Sequence, residues 1–277
     1  MNKITITFFA LFLSLGLHAQ EEEEVKPVKN VFQGTRFINL QSANVVGKNE
    51  LQMFIQHRFG DISEGFYKFF GLDENTNRFG FEYGVSKNFT VGIGRSTFYK
   101  TFDSFLKYRL LTQTVSIPLT VTATVAGSFP TIKNVIPDAN SDFSEKASGN
   151  VQLHIAKSWE NVGFQLSPGY IGTGYIPEKG KSISFITMAA GGSVKLSKKV
   201  SVNAEYLYRF EDEIVNTNPL SASVEIKTGG HLFQILISNT RQMYDQAIIT
   251  NPDGGDWTKG NLFLGFNLIR TFNFKQY

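Results

Sequence analysis

The sequence predicts an all-β protein: a transmembrane antiparallel β-barrel of about 12 strands, with short periplasmic turns and longer extracellular loops. Three observations predict it. The chain opens on an export signal, it is apolar without holding a membrane helix, and apolar residues alternate with polar ones almost to its end.

The export signal comes first. Asn2 and Lys3 precede an apolar core over 8–17, interrupted only by Ser14 and Gly16, and Leu17-His18-Ala19 follows. A basic end, a greasy middle and a small residue make a secretory signal peptide, and the middle is too short to span a bilayer. Cleavage is expected after Ala19. The predicted divisions are a signal peptide over 1–19, a periplasmic leader over 20–49 and an outer-membrane barrel domain over 50–277. The chain has no cysteine, which excludes a cysteine-linked lipid anchor, a disulfide framework and a thiolate metal site.

Composition narrows the class further. Charged residues make up 18% of the chain, below the roughly one quarter usual for soluble proteins. Yet no mature segment approaches 18 consecutive apolar residues, so no membrane helix is expected. Apolar residues spread through strands fit both facts. The formal net charge of +3 is small, and no basic helix or RNA-binding motif is present, so nucleic acid is not an expected partner.

Along the chain, 20–30 is polar and acidic, with glutamates from Glu21 to Glu24. Strands are then expected over 50–59, 77–86, 88–98, 102–112, 115–128, 147–159, 161–174, 182–197, 199–210, 220–228, 230–240 and 259–274. In 79–85, for example, Phe79, Phe81, Tyr83 and Val85 interleave with Gly80, Glu82 and Gly84. Minimal turns at Ser86-Lys87-Asn88, Thr112-Gln113-Thr114, Trp159-Glu160-Asn161, Ser197-Lys198-Lys199 and Gly229-Gly230 fall at every second connection. The others are mostly long: 60–76, 129–146, 175–181, 211–219 and 241–258. That alternation puts all tight turns at one end, and an even strand count returns both termini to that end. In hydrocarbon every backbone group needs an internal partner, so such a sheet must close. Aromatics gather at both strand ends: Phe89, Trp159, Phe272 and Phe274 on the turn side, and Phe98, Phe102, Phe129, Tyr175 and Trp257 on the loop side. A soluble secreted sandwich or a large soluble barrel is the rival, but sandwich strands average about 5–6 residues and their loops do not sort short and long by end so regularly.

Two segments fit the plan less well. Residues 31–40 look like a thirteenth strand, which would pair at the seam, enter the lumen or lie below the barrel. Residues 66–72 are too apolar for a bare loop. A short helix folded into the mouth is preferred over one lying on the membrane interface, because such a patch is normally covered.

Gln56-His57-Arg58-Phe59-Gly60, Gly34-Thr35-Arg36, Asn39-Leu40-Gln41-Ser42, the 79–84 strand and Thr228-Gly229-Gly230-His231 together resemble a family of outer-membrane β-barrels from Bacteroidota, domain of unknown function 5777. The resemblance spans most of the mature chain. It implies an outer-membrane barrel and transfers neither an activity nor a functional residue.

By parity, Arg58, Arg78, Glu82, Asp103, Lys107, Arg109, Glu205, Arg209, Glu225 and Lys227 point into the lumen, six basic and four acidic. Two readings stay open. One is a water-filled diffusion channel for small polar or anionic solutes. The other is a plugged barrel, structural or docked to a periplasmic partner, whose charges pair internally. Histidines offer no catalyst: His154 faces inward, and His57 points outward with no assignable serine partner. No Gly-x-Ser-x-Gly elbow occurs, so no enzyme activity is expected. No metal site or cofactor is expected, although 251–256 has a calcium-like composition. Glycine pairs such as Gly92 and Gly94 open no helix, and are read as room for large lumen side chains. The expected surroundings of the wall are outer-membrane lipids.

Overall fold

The computed structural model describes residues 28, 32–132, 146–174, 182–211, 214 and 216–274. The signal peptide, most of the acidic leader, much of the 129–146 loop and all of 175–181 lie outside them. Twelve strands form the wall: β1 (Glu50–Asp61), β2 (Asn75–Gly84), β3 (Phe89–Ser96), β4 (Thr101–Leu111), β5 (Thr120–Pro130), β6 (Ser148–Ser158), β7 (Val162–Gly172), β8 (Ser184–Lys195), β9 (Val200–Phe210), β10 (Leu220–Thr228), β11 (His231–Ser238) and β12 (Phe263–Asn273). Each is antiparallel to its sequence neighbour, and β1 pairs with β12 from Glu50↔Asn273 to Asp61↔Phe263, which closes the barrel. Closure leaves no strand edge for hydrocarbon to desolvate.

The alternation sets the two faces. Outward positions such as Phe79, Phe81, Ile93, Leu106, Ile186 and Ile235 are exposed, while inward positions on the same strands are buried. Trp159, Phe272 and Phe274 are exposed at the turn end, and Phe102 and Trp257 at the loop end. Inward glycines make room for long side chains. A Cβ at Gly94 would lie 2.2 Å from Nη2 of Arg78, so β3 needs glycine there. The β6–β7 register lapses between Gln152↔Gly169 and Ile155↔Leu166, beside Pro168, which has no N–H to give the ladder.

Three expectations need correction. The fifth strand starts at Thr120, not at 115, so its connection from β4 is no minimal turn. Pro118 follows a tight turn in which the Thr114 N–H donates to Ile117, and Gln113 turns inward to bond both backbone groups of Ser158 at 2.8 Å. Residues 66–71 belong to a 3₁₀ segment, Ile62–Gly71, which Leu72 caps and which is not folded into the mouth: Phe66 is 79% and Tyr67 90% exposed. The lumen itself is occupied by other parts of the chain. The third correction concerns the extent of the periplasmic leader, expected over 20–49. Of the three places open to residues 31–40 the structure shows the lumen: residues 32–46 run inside the barrel without forming a wall strand, and twelve of them from Phe32 to Val46 are almost fully buried.

Candidate functional site: a lumen closed from both ends

Residues 35–42 form a tight hairpin. Arg36 bridges Gln41, the Phe37 N–H donates to the Leu40 carbonyl, and the Ser42 N–H donates to the Thr35 carbonyl. Both ends of this plug sit at the turn end of the barrel. Val28 donates to Gln113, Gln33 reaches Ser201 at the start of β9, and the Val46 N–H donates to Thr90 Oγ1 on β3. The tip therefore points up the lumen from the turn side.

Two wall charges hold the hairpin by its backbone. The Glu205 carboxylate on β9 accepts three successive N–H groups at the tip, Ile38 (3.2 Å), Asn39 (2.9 Å) and Leu40 (3.1 Å). Consecutive N–H groups converging in this way make an anion nest. Lys107 Nζ on β4 donates to three carbonyls, Thr35 (2.9 Å), Ser42 (3.3 Å) and Asn44 (3.2 Å). Amides and hydroxyls complete the grip. Gln165 bonds Ala43 N–H and Gln41 O, Thr122 donates to Ala43 O, and Asn267 donates to Ile38 O. Arg58 donates to the Asn39 side chain at 2.8 Å, and Glu82 accepts from Thr35 at 2.6 Å.

A second element enters from the loop end. The β11–β12 connection carries a short helix, α1 (Asp245–Thr250), of which all but Thr250 is buried. Arg209 donates to the Thr250 carbonyl at its last turn, and Gln246 donates to Asn150 on the wall. The two elements meet in mid-lumen. Arg36 Nη1 lies 2.8 Å from Asp245 Oδ1, and Gln41 Nε2 donates to both oxygens of Asp245 at 3.0–3.3 Å. Leu40 of the plug also packs in one apolar cluster with Ile248 and Ile249 of α1 and Leu207 of the wall. Burial opposes both charges of the Arg36–Asp245 pair. For Arg36 the attraction of Asp245, Glu82 and Asp103 outweighs burial and holds the guanidinium above its ordinary pKa. For Asp245 burial is outweighed by Arg36 and the Gln41 hydrogen bond, which hold the carboxyl below the usual aspartate range.

The ten parity-assigned charges thus divide by task. Lys107, Glu205, Arg58 and Glu82 hold the plug, and Arg209 holds α1. Arg78 and Asp103 pair with each other through two hydrogen bonds, Nε to Oδ1 at 2.9 Å and Nη2 to Oδ2 at 2.5 Å. Glu225 accepts from Gln234, which also donates to the Phe37 carbonyl of the plug. Arg109 is half-buried and Lys227 is exposed, both at the turn-side rim, so Lys227 does not line the packed lumen. Parity had no means of finding Arg36, Gln41 and Asp245, which lie off the strands.

The histidines are spent on packing. His154 places one ring nitrogen 2.9 Å from Thr124 Oγ1 and the other 2.9 Å from Ser167 Oγ. His57 stacks on Phe266 with ring centroids 5.2 Å apart. Among the described residues no cluster of His, Asp and Glu could hold a metal ion. In 251–256, Asn251 ends α1 in a left-handed conformation, and Asp256 caps the 3₁₀ turn that follows.

These features define a membrane β-barrel of twelve antiparallel strands whose lumen is packed with its own chain. The chain belongs to the family described as a membrane bound beta barrel domain, domain of unknown function 5777, whose pattern matches residues 32–272. That match begins where the plug begins. No curated protein matches the chain in sequence. Among solved structures, the NanC porin superposes with a TM-score of 0.50 at 10% identity, over 82% of this chain and 100% of that one. The KdgM porin gives 0.46 at 7% identity, over 81% and 99%. At such identities the likeness is one of fold.

Proposed function

We propose that this is a non-enzymatic outer-membrane channel held shut by its own N-terminal hairpin, which passes small polar or anionic solutes when the hairpin is displaced. One observation carries the reading: beside its apolar contacts with Ala156 and Leu236, the plug is held to the wall by many hydrogen bonds, from Lys107, Glu205, Gln165, Asn267, Arg58 and Glu82. Water can replace such bonds one for one, so their net contribution is modest, about 0.5–1.5 kcal/mol each and more for charged partners. A plug welded by apolar packing alone would have no such exit. A displaced plug leaves wall charges Arg58, Arg78, Lys107, Arg109 and Arg209 against Glu82, Asp103, Glu205 and Glu225, a slight basic excess that favours anions.

The test is conductance in planar bilayers of the full chain and of a variant lacking 32–46. Closed wild-type channels, with steady anion-preferring conductance in the variant, are expected. A variant that inserts as a closed, heat-modifiable barrel yet stays silent would overturn the channel reading in favour of a structural or partner-docking barrel. A wild type as conductive as the variant would overturn the role of the plug.

A further inference from the structure

We propose that Arg270 and His231 form a binding site for the phosphate of a phospholipid headgroup, on the lipid-facing wall at the turn end of the barrel. Arg270 lies on β12 between the outward residues Leu268 and Phe272, and His231 opens β11 directly opposite it in the ladder. The two basic side chains touch: Arg270 Nη1 is 3.1 Å from His231 Nδ1 and 3.2 Å from Nε2. No carboxylate pairs with Arg270 among the described residues. A guanidinium is always charged and only donates, and among the described residues its side chain bonds His231 alone, so its remaining N–H groups are free to donate to a ligand. On the outer wall of a membrane barrel an arginine is costly in mid-bilayer and nearly free at the interface.

The surroundings fix both the orientation of the pair and its depth. The guanidinium sits 5.6 Å from the Phe272 ring centre, and Phe233 stacks on His231 at 5.8 Å. At Gly230 a Cβ would lie 3.1 Å from Arg270 Nη1, so the Gly229-Gly230 turn leaves the guanidinium its place. Trp159, Phe272 and Phe274 are exposed at this same end, and such aromatics mark the headgroup level. Positive charge continues across the neighbouring turns. Lys227 is exposed on β10, its N–H bonds the Lys199 carbonyl, and Lys198 and Lys199 are exposed beside it. Below the pair, exposed Phe233, Ile235 and Phe266 offer an apolar track for acyl chains. A phospholipid satisfies both halves of this surface, whereas free phosphate satisfies one. Phosphate oxygens also match guanidinium donors as strong, charge-assisted acceptors.

The full-length barrel, stripped of lipid in detergent, is titrated with dioleoylphosphatidylglycerol and lipid adducts are counted by native mass spectrometry. Wild type should hold one adduct tightly. Arg270→Leu combined with His231→Leu should lower its retention roughly tenfold, the scale expected for losing one or two interfacial basic groups. Arg95→Leu, an outward arginine at the other end, should leave retention unchanged. Dioleoylglycerol, which lacks the phosphate, should not bind. Heat-modifiable migration reports whether each variant is closed; Arg270→Gln, which keeps a polar side chain, makes the same test should the double variant fail to close. Equal retention by wild type and variants, or equal binding of dioleoylglycerol, overturns the site. Binding of inorganic phosphate alone, without lipid retention, overturns the lipid as its ligand.

Discussion

Asp245→Asn should loosen the barrel's closure without disturbing its wall. The substitution keeps shape and removes one charge from the ion pair that joins plug hairpin and α1, Arg36 to Asp245 at 2.8 Å. Breaking a buried pair from one side costs about 3–5 kcal/mol. Here Arg36 keeps Glu82 at 3.6 Å and the Asn39 carbonyl at 3.0 Å, so the cost falls to or just below the low end of that range, about 2–3 kcal/mol. A closed–open equilibrium would shift by roughly 30- to 150-fold. The open fraction in planar bilayers should rise by that factor, and the amides of 36–41 should exchange hydrogen faster by a similar one. Heat-modifiable migration should not change, since the ladder from β1 to β12 does not involve Asp245. An open fraction and exchange rates equal to wild type would refute the idea that the two elements lock each other.

Other outcomes follow from the same contacts. The ratio of variant to wild-type open fraction should depend on pH in one direction only. Asp245 is held below the ordinary aspartate pKa of about 3.9, so its stabilisation is complete above that value and is lost as pH falls through the depressed one; a ratio that changed between pH 5 and 8 would contradict this (titrated by ~0.5 pH steps). Gly94→Ala should destabilise the barrel by about 1–3 kcal/mol in urea unfolding, because its Cβ would meet Arg78 while Arg78 is pinned by Asp103 and Gln56; unchanged stability would show that Arg78 yields freely. An impermeant amine label on intact cells should reach Lys133 and Lys146 and miss Lys87, Lys198 and Lys199 until the cells are permeabilised. The reverse pattern would invert the barrel in its membrane.

The wall was legible in the sequence because lipid and lumen impose opposite demands on successive residues. Phe79 faces hydrocarbon and Arg78 the lumen, and one position of slippage would exchange them. The β5 boundary was lost because Val115 and Ile117 keep the alternation going through a turn that Pro118 ends. Residues 31–40 looked like a strand for the same local reason. Nothing local shows that Asn39 meets Glu205, 166 positions away, or that Arg36 meets Asp245, 209 positions away. Parity located the inward charges but could not pair them, and it was silent on α1, which lies in a loop without alternation.

The doubled-back path of the plug has a topological consequence. Among the described residues, both ends of the plug lie at the same mouth, Val28 beside Gln113 and Val46 beside Thr90, so the hairpin enters and leaves the ring of strands on one side. A hairpin held this way has a path out as a folded loop that leaves the β1–β12 seam closed. Withdrawal is free in one direction only, since the tip meets Asp245 and Ile248 of α1 on its other side. A pull on the N-terminal side would act along the line of extraction, whereas a push from the same side would drive the tip against Asp245. The barrel thus behaves as a bottle stoppered from below, its stopper tethered to the first stave.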